Sequence, residues 1–154
     1  MVHYQRDNEL SNNDTLAVRD LSIEELSPGM FASFDTLLGR SKVDEFASLT
    51  GDVSPIHVDP AYGEGLPYGG NIVHGMLTAG HFSTLVGVLL PGRRALLSSL
   101  SVDFQEPISV GSKVTITCRI VSINVGASTL NMNLVALHEG LICARGQAIV
   151  KVRP

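Results

Sequence analysis

Residues 74–90 read HGMLTAGHFSTLVGVLL, and the fold turns on this stretch. Thr78, His81, Ser83 and Thr84 interrupt it, so it is no membrane span, which needs about 20 predominantly apolar residues. Apolar side chains still fall on nearly every helical face, which marks a helix buried on most sides. At ~1.5 Å per residue it would run about 25 Å, the width of a small domain. Gly80 and Gly87 weaken a helix unless something must come close. A sheet wrapped tightly around the helix is such a case.

Downstream of Pro91-Gly92 the pattern changes to period two, the mark of strands with one buried face. Leu96, Leu100, Val102 and Phe104 share one face of the first run; Val114, Ile116, Cys118 and Ile120 share a face of the second. Leu130, Met132, Leu134 and Ala136 follow in the third, and Ala144, Ala148, Val150 and Val152 in the fourth. NVGAS and HEG supply hairpin turns between the later runs.

Upstream, MFASFDTLLG (residues 30–39) alternates as a first strand. SKVDEFASLT reads as a short helix opened by a capping box of Ser41 and Asp44, with Val43, Phe46, Ala47 and Leu49 on its apolar side. Residues 61–71 carry four glycines and Pro67 and read as loop. One buried helix, one strand before it and four after it make an α+β domain: a curved antiparallel sheet around a central helix.

The chain of 154 residues suits one domain, with residues 1–25 as a loosely ordered N-terminal arm and 26–154 as the folded unit. Its hydrophobic fraction of 44% and charged fraction of 17% are those of an ordered globule. The net charge is -4 and no Lys/Arg cluster is dense enough to track a phosphate backbone, which argues against nucleic acid as a partner. Cys118 and Cys143 lie in apolar alternating segments and read as buried free thiols. With a polar start and no signal peptide, a reducing cytoplasm is the expected compartment.

The chemistry gathers in TGDVSPIHVDP, residues 50–60, which holds Asp52, His57 and Asp59. Pro55 removes a backbone donor and biases Ser54 toward extended structure, so a regular helix is not expected there. From the residues alone Asp52 is either a loop cap or a functional acid, and His57 either a structural histidine or a functional base. Asp59, before Pro60, reads as a cap for the following turn, and His74 as a brace at the helix entrance. His81 lies seven residues after His74, about 10 Å along a helix, too far for both to bind one metal at ~2.1 Å. No metal site is expected, although Asp52, His57 and Asp59 could be drawn together.

FASLTGDVSPIHVDPAY, GGNIVHGML and SVDFQEPISVGSKV together resemble the MaoC-like (R)-specific enoyl-CoA hydratases of the hot-dog fold. The resemblance runs from about Phe31 to Val152. It implies that Asp52 and His57 are the catalytic dyad, that the Gly75 N–H is the thioester oxyanion donor, and that Ser83 is a substrate-site residue. It also implies an acyl-CoA substrate, no cofactor beyond the coenzyme A of that substrate, and a homodimer. Position 54 departs from the family pattern, with Ser where Asn is usual; Ser can still cap the loop by local hydrogen bonds. The glycine-rich YGEGLPYGGN also departs from it, which bears on the acyl pocket rather than the dyad. Arg93 and Arg94 either face solvent or meet coenzyme A phosphates. Alternatives to the hydratase are a dehydratase of another acyl thioester in the same fold and a non-catalytic acyl-CoA-binding module. A hot-dog thioesterase fits less well, since those enzymes place a carboxylate on the central helix and residues 74–90 have none.

Overall fold

In the computed structural model, which describes residues 16–154, five strands form one sheet. They are β1 (Phe31–Leu38), β2 (Ala95–Phe104), β3 (Ser112–Asn124), β4 (Thr129–His138) and β5 (Leu141–Val152). Every pairing is antiparallel, in the order β1-β3-β4-β5-β2. Helices α1 (Arg40–Thr50), α2 (Pro55–Val58) and α3 (Pro60–Glu64) lead from β1 to the buried helix α4 (Gly75–Thr84), which continues as a π-helical turn, Leu85–Leu89. The result is α+β, an antiparallel sheet around a central helix as the pattern implies, and the hot-dog arrangement that the resemblance implies.

The core lies between the concave face of the sheet and α4. Phe82, Leu85 and Val86 from the helix meet Val114, Ile116, Ile120, Leu130, Met132, Leu134 and Val150 from the strands, all at most 2% exposed. The faces predicted for β3, β4 and β5 are the buried ones. On β2 the prediction fails in one place. A bulge between Leu97 and Ser99 shifts the register, so Leu97 pairs with Val150 on the core side while Leu96 is 54% exposed. A single inserted residue flips the side chains beyond it, and a count of alternate positions does not register it. A second bulge, where β5 offers an extra residue opposite Ala136/Leu137, turns both Cys143 and Ala144 inward. Both cysteines are free and buried, and burial pushes the Cys118 thiol up to about 12.

Gly80 and Gly87 do not admit the sheet: among the described residues, a Cβ at either would meet no neighbouring segment within 4 Å. The close approach is on the sheet side. A Cβ at Gly146 of β5 would lie 3.2 Å from the Phe82 ring, 3.2 Å from Ser101 O and 3.3 Å from Leu134 Cβ.

Residues 1–15 of the predicted arm lie outside the described residues. From residue 16 the chain crosses the end of the central helix: Arg19 N–H donates to Val88 O at 2.8 Å and Arg93 N–H to Arg19 O at 2.9 Å. Leu16, Leu21 and Ile23 pack partly against the core. Among the described residues no helix is long and apolar enough to cross a membrane.

Candidate active site

α1 begins two residues earlier than a capping box at Ser41 implies, with Gly39 at its N-cap and no side-chain cap. Ser41 is therefore inside the first turn and the capping box with Asp44 does not form; Asp44 instead pairs with Arg40 at 3.3 Å. Leu49 is 85% exposed, so the apolar side of the helix is Val43 and Ala47 with Phe46 at its margin. Gly51 ends the helix in the left-handed region, at φ 78, and the chain turns into Asp52.

Pro55 does not abolish helix here. It occupies the first position of the one-turn α2, where a missing N–H costs nothing, and Ser54 before it is extended as expected. The Ser54 side chain makes no cap; its backbone N–H donates to Asp52 Oδ1 at 3.3 Å. Asp59 caps α3 as predicted, its Oδ1 accepting from Ala61 N–H at 2.9 Å and Tyr62 N–H at 3.3 Å.

A four-residue helix cannot satisfy its own carbonyls, and the groups that do so were not apparent from the sequence. Asn71, 6% exposed, donates through Nδ2 to Pro55 O, Ile56 O and Asp59 O at 3.1, 3.1 and 2.8 Å. Arg40 donates through Nη1 to His57 O at 2.9 Å and through Nη2 to Asn71 Oδ1 at 2.8 Å. Gly63 makes room for this clamp, since a Cβ there would lie 2.7 Å from both Asn71 N and Nδ2. Asn71 was visible only as a polar residue between a glycine-rich loop and an apolar run, and Arg40 carried no signal at all.

The same clamp joins the three motifs. Val73 N–H donates to Ile108 O at 2.7 Å, and Val110 N–H to Asn71 O at 3.0 Å. His57, carried by α2, is thereby set beside His74 and the start of α4. Its Nδ1 lies 2.8 Å from Ile72 O. A carbonyl only accepts, so Nδ1 carries a proton, and in the neutral ring Nε2 keeps its lone pair. His74 Nε2 lies 2.9 Å from Asp52 O, so the same logic places its proton on Nε2. The two imidazoles stack, with centroids 3.9 Å apart and planes 30° off parallel.

One carboxylate oxygen of Asp52 and one ring nitrogen from each of His57 and His74 lie within 4.8 Å of one another. A water with hydrogen bonds of about 2.8 Å could bridge a carboxylate and an imidazole across such a gap. The trio suits a common metal ion poorly, because in-plane lone pairs of stacked rings run side by side instead of converging on a centre at ~2.1 Å.

His57 borders a cavity of about 350 Å³, whose other walls include Ile72, Gly75, Thr78, Phe104 and Cys143. Gly75 is the first residue of α4, where backbone N–H groups lack helical acceptors and the dipole is positive. The Phe104 ring rests against it, 3.0 Å from where a Cβ would stand. Of the four predicted site residues, His57 and Gly75 line the cavity, while Asp52 comes within 4.8 Å of a His57 ring nitrogen but is not part of the cavity wall. Ser83 does not join them: it is exposed, about 12 Å further along the helix, and does not line the cavity. Arg94 is held by Asp20 at 2.6 Å, at the opposite end of β2 from Phe104.

Residues 14–139 match the family described as MaoC like domain. The (R)-specific enoyl-CoA hydratase of Aeromonas caviae is 31% identical over 133 residues, 86% of this chain and 99% of its own. The solved structure of the A. caviae (R)-hydratase superposes with a TM-score of 0.81, covering 84% of this chain and 98% of its own. A 3-hydroxybutyryl-CoA dehydratase of Methylorubrum extorquens is 29% identical over 135 residues, 88% of this chain and 86% of its own. The R-hydratase PhaJ1 of Pseudomonas aeruginosa, at 22% identity, shares the fold with a TM-score of 0.84 over 88% of each chain. This chain belongs to the MaoC-like family of hot-dog hydratases and dehydratases.

Proposed function

We propose that the protein catalyses the reversible hydration of trans-2-enoyl-CoA to (R)-3-hydroxyacyl-CoA through Asp52 and His57. The observation that carries this is the 2.8 Å contact of His57 Nδ1 with Ile72 O, which makes Nε2 the lone-pair edge of the neutral ring, together with the cavity that His57 and Gly75 both line. A water held between the carboxylate and this imidazole loses one proton to the pair as its oxygen bonds the β-carbon. The electrons of the double bond move toward the thioester oxygen, and the pair returns a proton to the α-carbon. The Gly75 N–H, at the positive end of α4, stabilises the enolate oxygen. Dehydration is the same path reversed. No cofactor is needed beyond the coenzyme A of the substrate, and a reducing cytoplasm suits the two free thiols. Ser83 belongs to this scheme only as a contact for parts of the substrate remote from the thioester.

We also propose a homodimer. Edge strand β2 is ten residues long, and its core-side Leu97, Leu100 and Val102 are only half-buried, which suits continuation of the sheet into a second copy.

The test is a direct absorbance assay with crotonyl-, hexenoyl- and octenoyl-CoA, with chiral analysis of the product. Wild-type protein should form the (R)-alcohol, and Asp52→Asn and His57→Ala should each lower kcat by about 10²–10⁴-fold while remaining folded. Near wild-type turnover in both folded variants would remove the dyad.

A further inference from the structure

We propose that His74 is the positioning residue of this site, the side chain that sets the acid, the imidazole and the helix start relative to one another; this rests on the hydratase reading above. His74 is 1% exposed and touches all three parts. Its Nε2–H donates to Asp52 O at 2.9 Å. One side of its ring environment is His57, stacked at 3.9 Å, and another is Phe46, with centroids 4.9 Å apart and planes tilted by 53°. Its own carbonyl accepts from Leu77 N–H at 3.1 Å and Thr78 N–H at 3.2 Å, so His74 opens the helix whose first residue is Gly75.

The second nitrogen shows that packing alone does not account for the residue. Among the described residues, Nδ1 of His74 is buried and has no hydrogen-bond partner. An unpartnered buried acceptor is destabilising, and an apolar side chain would fill the same slot without one. What the imidazole alone supplies is a flat ring of this size with an N–H on its far edge. Gln offers an N–H and no ring; Phe offers a ring and no N–H. Both features have a use. The bond to Ile72 O holds one edge of the His57 ring, but a single bond leaves the ring free to tip about it. The stack sets the plane, and edge and plane together aim Nε2. The N–H bond to Asp52 O holds the backbone of the acid at the same time.

Two variants and one spectroscopic measurement test this. His74→Gln and His74→Phe should each lower kcat for crotonyl-CoA by about 10–100-fold, the scale of a small misplacement of reacting groups, with KM changed by less than about threefold. Long-range 1H–15N spectra of the wild-type protein should show His57 as one neutral tautomer with the proton on Nδ1, and His74 with the proton on Nε2. In His74→Gln the His57 signals should become those of a tautomer mixture. A lower melting temperature with unchanged kcat per folded molecule and an unchanged His57 tautomer would overturn the proposal and leave His74 a packing residue. Should the wild-type protein hydrate none of the enoyl-CoAs, the hydratase reading fails separately. The tautomer comparison then still decides for or against His74 as the group that orients His57.

Discussion

Gly75 stands under two demands at once, and its substitution separates them. Its φ is not in the left-handed region, so the backbone itself tolerates a side chain. The obstacle is Phe104, whose ring atoms lie 3.0, 3.1 and 3.2 Å from an ideal Cβ. Phe104 is 51% exposed and can swing aside, so Gly75→Ala should lower the melting temperature by only a few degrees. Activity should suffer more, because the displaced ring moves at the mouth of the cavity and the new methyl stands where the thioester must approach. Gly75→Val should cost on the order of 10²–10³ in kcat/KM, the usual scale for losing an oxyanion donor. Steady-state kinetics beside thermal melts of both variants check this; early unfolding of both would make the glycine structural instead. The same scale holds a titration. His81 Nδ1 bonds Leu77 O at 2.8 Å, and burial holds its imidazole below the usual 6.5. The unfolded chain therefore takes up the His81 proton before the folded one does. Stability from this group is fully present above the unfolded value of 6.5 and is lost as pH falls below it. Melting temperatures at pH 7.5 and 5.5 should differ less in His81→Gln than in the wild-type protein.

Helix α2 shows an element that does not hold itself together. Four residues form no stable helix alone, and this one persists because Asn71, Arg40 and Ile72 N–H take up its carbonyls. The element that carries His57 is thus built from the outside, by residues 15 to 17 positions away in sequence. Gly63→Ala tests the arrangement. Its Cβ would stand 2.7 Å from the backbone N of Asn71, which cannot yield as a flexible side chain would. The expected outcome is a loss of about 1–3 kcal/mol in denaturant unfolding, as for other overpacked sites, together with a fall in kcat as α2 shifts. A variant as stable and as active as the wild-type protein would show that the clamp leaves room to spare.

For the whole molecule, the arrangement of the sheet bears on assembly. β1 and β2 are its edges, and the exposed Gly80 of α4 and Gly87 of the π-helical turn leave open space among the described residues. Analytical ultracentrifugation at micromolar concentration should find a dimer; a monomer there would remove the proposed assembly. Placing Leu96 and Leu97 on wrong and right faces, or Cys143 on the cavity wall, also belongs to this scale, because each follows from a bulge in strand pairing.

Much was legible in the residues themselves. The buried helix, the faces of β3, β4 and β5, the Asp59 cap and the free thiols follow from period, composition and local hydrogen bonding, each of which acts within a few positions along the chain. That Asp52 and His57 come near one another was legible too, since both lie in one short contiguous motif. Only the tertiary structure decided that Arg40 and Asn71 hold α2, that Gly146 and not Gly80 or Gly87 admits close packing, and that His74 stacks on His57. These are contacts between segments brought together by the curvature of the sheet. Periodicity records which side of an element is buried, but not which atoms of a distant segment arrive there.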